Sequence, residues 1–252
     1  MKIAYCFYGQ PRKLEEGYTI VQQFISLNPT ATIDFFYHTW FLKGATNYQY
    51  EASPWRNLSK EELTIRPDII DTIHTLYQPK AFKIDEPTQF NISTIKESIL
   101  YKKTPEQQTR NIHNTLSQFY SIQQVRSVLE TYVKTTQTKY DYVVLNRFDF
   151  LKPICIQVDL LQTDRLYVSD VLKNRKLFCN CYISDYDRFL KIANVFETIK
   201  EFMNNDLLIH QFKVYTRGES IFNVEEINAI NYMYYYTTYD TIVYTPLIPD
   251  FH

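Results

Sequence analysis

The segment Lys2-Ile3-Ala4-Tyr5-Cys6-Phe7-Tyr8-Gly9-Gln10-Pro11-Arg12 decides how this chain folds. Apolar residues run without a break from Ile3 to Tyr8 and are stopped by glycine and proline. A short apolar run without polar alternation predicts a strand buried on both faces, and Gly9-Gln10-Pro11 empties it into a loop. From Lys13 to about Leu27, Leu14, Tyr18, Val21, Phe24 and Ile25 keep helical spacing until Asn28-Pro29 closes the segment. Ile33 to Trp40 predicts a second strand. The chain therefore opens as strand, helix, strand.

The alternation continues. Between Phe41 and Lys60 the periodicity is lost and Gly44, Asn47, Ser53 and Pro54 accumulate, which predicts a long surface loop of the functional kind. Ser59-Lys60-Glu61-Glu62 has capping-box spacing for a short helix. Pro67-Asp68 opens another, carrying Ile69, Ile73 and Leu76 and ending before Pro79, and Lys80 to Asp85 predicts a third strand. Pro105 suits the first position of the longest helix, which reaches about Lys134 through Leu116, Tyr120, Val125, Leu129 and Val133. Tyr140 to Leu145, Arg165 to Val168 and Leu177 to Ile183 read as strands, and about Asp185 to Met203 as one helix. No internal repeat, low-complexity tract or linker divides the 252 residues, so one α/β domain is expected, with a mostly parallel central sheet covered by helices on both faces. Ligands of such sheets lie at the carboxyl ends of strands. Three exits qualify: Tyr8 to Arg12, His38-Thr39-Trp40, and Asn146-Arg147-Phe148-Asp149.

Composition narrows the function. With 27 basic against 28 acidic side chains and a formal net charge of −1, no long-range field attracts DNA or an anionic membrane. Nucleic acid is thus not an expected partner. No apolar run approaches the roughly 20 residues of a membrane span, and the opening strand meets Gly9-Gln10-Pro11-Arg12 too soon for a secretory signal, so a soluble cytoplasmic protein is expected. Cys6, Cys155, Cys179 and Cys181 lie in strand-like stretches without CxxC spacing and read as reduced, partly buried thiols. Aromatic residues make up 16% of the chain, including 22 Tyr. Tyrosine suits sugar or base contacts as well as half-buried packing.

Asp149 stands between Phe148 and Phe150 after a buried run, where an ionised carboxylate is costly unless it is paired or binds a cation. Mg²⁺ or Mn²⁺ needs only one or two protein carboxylates when phosphate and water fill the other positions; pairing with Arg147 or the backbone is the alternative. Gly9 permits a positive φ or a close ligand approach, and Arg12 offers a planar fork to phosphate or carboxylate, although a plain tight turn explains the segment equally well. Neither GxGxxG nor GxxxxGK[ST] is present, which disfavours a dinucleotide or P-loop site. His38 and Trp40 share a face at the end of their strand, where either could touch a ligand, although a lone His is more often structural, and no Ser or Cys has a readable triad context.

The order of Lys2 to Arg12, then Asp34-Phe35-Phe36-Tyr37-His38-Thr39-Trp40, then Tyr140 to Asp149 resembles a family of GT-A-type glycosyltransferases found in bacterial polysaccharide loci and large DNA viruses. The likeness covers about the first 150 residues. It implies a Rossmann-type nucleotide-sugar half in residues 1–150 and an acceptor half in 151–252. By this resemblance, Tyr8, Gly9 and Arg12 hold the nucleotide of a sugar donor, and Asp149 binds the Mn²⁺ or Mg²⁺ that bridges its diphosphate. Arg147 takes the first position of the family's DxD, which removes one metal ligand but brings positive charge near phosphate. Ser117, Tyr120 and Ser121 resemble the helix beside the donor sugar. The second half departs from the pattern: Phe178-Cys179-Asn180-Cys181-Tyr182 replaces a strand bearing an Asp near the acceptor. Asp185 is the candidate substitute, with helix capping its alternative. Glu219, after Gly218, resembles the late acidic position that serves as a base, and Glu225 and Glu226 are also available.

The implied activity is transfer of a sugar from a nucleotide diphosphate sugar to a hydroxyl of a glycan acceptor, in polysaccharide biosynthesis. The competing reading from another class is a binding module for nucleotide sugars or glycans that no longer turns over.

Overall fold

The structure is a computed structural model that describes residues 1–43, 64, 66–91, 105–168, 171–172, 176–177, 181–203 and 242–244. The opening run is strand β1 (Lys2–Tyr8), with Ile3 to Tyr8 wholly or almost wholly buried. Helix α1 (Leu14–Leu27), β2 (Thr32–Trp40), α2 (Ile69–Tyr77) and β3 (Ala81–Asp85) follow as the periodicity predicts. Next come the 32-residue helix α3 (Pro105–Thr136), β4 (Tyr142–Arg147) and β5 (Leu166–Val168). Short strands β6 (Val171–Leu172) and β7 (Lys176–Leu177) pair with each other, and β8 (Cys181–Ser184) and β9 (Ile242–Tyr244) join the main sheet.

Two expectations need correction. The run read as one strand from Leu177 to Ile183 contributes to two sheets: Leu177 ends β7, and Cys181 starts β8. The helix expected from Asp185 to Met203 is two, α4 (Tyr186–Ile192) and α5 (Val195–Met203). Asn194 sits at the break, where asparagine competes poorly as an interior helix residue, and its carbonyl receives the Thr198 N–H at the start of α5. Most of the loop expected over residues 41–60 and the capping box at Ser59 lie outside the described residues. Cys6 and Cys181 are buried in β1 and β8, whereas Cys155 lies outside any strand and is exposed.

The main sheet has the order β3-β2-β1-β4-β8-β5-β9. Among the described strands of this sheet only β8 runs against the others, so the sheet is mostly parallel. Helices cover both faces. Ile3, Tyr5 and Phe7 of β1 pack with Leu14, Val21 and Phe24 of α1 and with Ile69, Ile73 and Tyr77 of α2. The alternate residues Ala4, Cys6 and Tyr8 pack with Leu116, Phe119, Val125 and Leu129 of α3 and with Phe189 and Phe196 beyond it. Each such side chain, fully buried, contributes roughly 1.5–3 kcal/mol, so a strand apolar on both faces holds the two layers together. None of the described helices is long and apolar enough to cross a membrane.

The strand order also places the binding edge. The sheet grows from β1 through β2 to β3, then the chain returns to lay β4 on the other side of β1. Loops leaving β1 and β4 therefore part in opposite directions, and the crevice between them is where open α/β sheets bind ligands. At that exit the Phe148 ring stacks on Phe7, with centroids 4.9 Å apart. Gly17 of α1 admits the turn closely: a β-carbon there would lie 3.2 Å from the Phe148 carbonyl oxygen.

Asn28 ties the end of α1 to a distant loop. Its side-chain amide donates to the carbonyls of Phe24 and Ile156, each at 2.9 Å, and its carbonyl accepts the Val158 N–H at 2.7 Å, all buried. Leaving these partners bare costs about 1–3 kcal/mol each. Asn28→Ala is therefore expected to lower stability by at least about 2 kcal/mol in chemical denaturation; a loss under half that would show that water replaces the side chain.

Candidate functional site

Register brings Lys83, His38, Tyr8 and Arg147 into one row across β3, β2, β1 and β4 near the carboxyl edge. The next residue of β1's exit, Gly9, has φ +89, a left-handed conformation that glycine adopts without strain. Side chains hold both of its backbone polar groups. Its N–H donates to Ser121 Oγ of α3 at 2.8 Å, and its carbonyl accepts from Thr39 Oγ1 of β2 at 2.8 Å. The turn is thus pinned from a helix on one side and a strand on the other.

Ser121 continues into a second chain of bonds. Its Oγ lies 2.7 Å from His38 Nδ1, and His38 Nε2 lies 3.2 Å from Asp85 Oδ2. An ionised Asp85 can only accept, so Nε2 carries the ring proton towards it, and Nδ1 of the neutral ring then accepts the Ser121 hydroxyl hydrogen while Ser121 Oγ accepts from Gly9. His38 is wholly buried, and that burial pulls its pKa down from 6.5 to about 4 against the opposing pull of Asp85. It is neutral near pH 7, as this tautomer requires. Asp85 also accepts from the Tyr120 hydroxyl at 2.9 Å and pairs with Lys83 at 3.0 Å. Burial pushes the Asp85 pKa up, but the bonds from Lys83, Tyr120 and His38 together outweigh it and hold the carboxyl below its ordinary value. The series Ser121, His38, Asp85 has the composition of a hydrolytic triad, yet Ser121 is wholly buried with its oxygen engaged by two partners. It is a brace for the turn, not a nucleophile.

Beyond the brace lies a cluster of opposite charge. Asp149 accepts from Arg12 Nη2 through Oδ2 at 2.5 Å and from Arg147 Nε through Oδ1. The three side chains are 6%, 13% and 16% exposed for Asp149, Arg12 and Arg147, so the cluster is shielded but not sealed. Among these three side chains, two guanidiniums against one carboxylate leave one net positive charge. Arg12 also keeps Nε and Nη1 buried with no hydrogen-bond partner among the described residues. Spare donors on a planar fork beside excess positive charge suit the oxygens of a phosphate or carboxylate ligand.

The arrangement does not fit a divalent cation. Both Asp149 oxygens face guanidiniums, and a cation placed there would meet two like charges. Asp85, the other acid at this edge, is engaged by Lys83, Tyr120 and His38.

The expected residues do not all meet. Gly9, Arg12, Arg147 and Asp149 meet at one exit, while Tyr8 and Ser121, expected to touch the nucleotide, are wholly buried and support the turn from beneath. Ser117 is half-buried one turn before Ser121, and Tyr120 stacks on Trp40 with centroids 5.2 Å apart. Asp185, expected near the acceptor, is the cap of α4: its Oδ1 accepts the Arg188 N–H at 2.8 Å. It also follows Ser184, which pairs with Val143, so the reversed direction of β8 puts it at the sheet edge opposite Arg147, roughly 13 Å of strand away. Glu219, Glu225 and Glu226 lie outside the described residues. Asp85 and Thr39 were not singled out as site residues in the sequence. Asp85 carries the signal that marked Asp149, an acid at the carboxyl end of a parallel strand.

Comparison with known proteins adds little. No family model matches the chain, and neither does any curated protein. Among solved structures it is similar to a Desulfovibrio desulfuricans G20 protein described as a nucleotide-diphospho-sugar transferase, at 9% identity and TM-score 0.38, covering 97% of this chain and 79% of that one. It is also similar to the galactosyltransferase LgtC in complex with donor and acceptor sugar analogs, at 11% identity and TM-score 0.38, covering 97% and 73%. A further structure, of an active-site mutant of LgtC, gives 9% identity and TM-score 0.39 over 97% and 72%. Likeness at that level carries no residue role from those proteins to this chain.

The buried neutral His38 makes stability depend on pH. Between pH 6.5 and about 4 the unfolded chain takes up a proton that the folded chain refuses, so stability falls as pH drops across that window, by up to about 1.4 kcal/mol per pH unit. Urea unfolding at pH 7, 6 and 5 is expected to show this slope in the native sequence and a flatter one in His38→Gln. Equal slopes would mean that His38 is not held neutral.

Proposed function

We propose that this chain transfers a glycosyl group from a nucleotide diphosphate sugar to a hydroxyl of a glycan acceptor. The observation that carries the reading is the pair of guanidiniums, Arg12 and Arg147, fixed at the carboxyl exits of β1 and β4, where the strand order reverses. That position suits a ligand with a compact anionic group, and the charge excess there suits a diphosphate. The sequence resemblance of Lys2 to Arg12, His38-Thr39-Trp40 and Arg147 to Asp149 to GT-A-type transferases points the same way.

In the reaction the bond from the anomeric carbon to the diphosphate oxygen breaks, and a bond to the acceptor oxygen forms. Negative charge gathers on the departing diphosphate, where hydrogen bonds from Arg12 and Arg147 lower the barrier most if they strengthen as that charge develops. The brace of Ser121, Thr39 and His38 keeps the Gly9 turn, and with it Arg12, in place while charge moves. The acceptor proton leaves to a base or to solvent, and Glu219 is the candidate base.

A panel of UDP-, GDP-, ADP- and CDP-sugars screened by thermal shift, with nucleoside diphosphate release followed in parallel, tests the reading. One donor is expected to raise the melting temperature increasingly with concentration and to be slowly hydrolysed or transferred. Arg12→Met is expected to weaken its binding about 10- to 100-fold, as loss of a charged hydrogen bond worth about 1.5–3 kcal/mol requires. Binding without release of nucleoside diphosphate would instead support a binding module, and no shift across the panel would overturn both.

A further inference from the structure

Resting on the transferase reading above, we propose that the diphosphate seat works without a metal ion: Arg12 and Arg147 take the place of the divalent cation, and Asp149 is a positioning residue that aligns them. The disagreement between the expected metal site and the observed cluster carries this inference. Asp149 Oδ2 accepts from Arg12 and Oδ1 from Arg147, so each carboxylate oxygen already faces a guanidinium where a cation would sit. Binding one there would bring a doubly charged ion beside two guanidiniums, which like-charge repulsion opposes.

The cluster is built into the fold rather than draped on it. Arg147 is the last residue of β4, paired in register with Tyr8, and its stem passes over Gly9, where a β-carbon would lie 3.4 Å from Arg147 Cγ. That distance is ordinary van der Waals contact, so it is the φ of +89 that calls for glycine at position 9. Arg12 leaves the same turn and reaches Asp149 from the other side, keeping Nε and Nη1 buried without partners among the described residues. Orphaned donors are disfavoured in a finished site and suit one that awaits an oxyanion. A diphosphate brings several acceptor oxygens and negative charge to a cluster holding one net positive charge, so the ligand completes what the protein leaves incomplete. The acid at position 149 keeps two like-charged forks side by side before the ligand arrives, a task its two oxygens perform together.

The test is nucleoside diphosphate binding to the full chain, measured by calorimetry with UDP, GDP, ADP and CDP, in EDTA and again with Mn²⁺. The best nucleotide is expected to bind with the same affinity within about threefold in the two buffers. A tenfold or greater loss in EDTA would overturn the metal-free seat while leaving the transferase reading intact. Absence of binding in either buffer would overturn both. Asp149→Asn is expected to weaken binding at least fivefold in EDTA and Mn²⁺ alike; a loss confined to Mn²⁺ buffer would make Asp149 a ligand and overturn the inference. Arg147→Lys, which keeps the charge but not the fork, is expected to lose affinity in EDTA less severely than Arg147→Met. Melting temperatures of all three variants separate loss of binding from loss of folding.

Discussion

The molecule turns on the two backbone bonds of Gly9. Its amide is given to a serine of α3 and its carbonyl is held by a threonine of β2, so the exit of the central strand is fixed by side chains instead of a ladder. Buried backbone groups must find partners, and here the partners come from two elements far apart in sequence. Everything downstream inherits that geometry. Arg12 leaves the same turn, Arg147 passes over it, and Asp149 closes the circle between them.

Two carboxylates at the same sheet edge illustrate how surroundings assign tasks. Asp85 receives an ammonium, a phenol and an imidazole, and its side chain is 23% exposed. It anchors the bonded line that runs back to Gly9. Asp149 receives only guanidiniums through the bonds described and is 6% exposed. The first is consumed in holding the scaffold. The second holds two guanidiniums, and that of Arg12 keeps two buried donors without partners among the described residues.

Much of this was legible in the residues. The apolar run Ile3 to Tyr8, the spacing of α1 and the proline at the head of α3 are strong local signals, and the structure follows them closely. The reversal of β8 was not legible, because a four-residue strand buried on both faces carries no mark of its direction. That reversal is what sends Asp185 to the far edge and makes it a helix cap. The break at Asn194 was equally hidden, since apolar spacing continues across it. At the site, Arg12, Arg147 and Asp149 could each be picked out as candidates, but not that both guanidiniums would converge on the one acid. Sequence shows residue types at strand exits; which charges meet depends on side-chain paths across the sheet. His38 read as a lone histidine, and its partners Ser121 and Asp85 lie 83 and 47 residues away.

Gly17 extends the reach of the site to a position that supplies no atom to it. Gly17 lies in the first turn of α1, directly beneath the carbonyl of Phe148. A β-carbon there would lie 3.2 Å from that oxygen, so the peptide just before Asp149 would have to give way by a few tenths of an ångström. Selection for ligand recognition would therefore leave a trace on the far side of the sheet layer, as intolerance to substitution at a helical position whose neighbours on the exposed face vary freely.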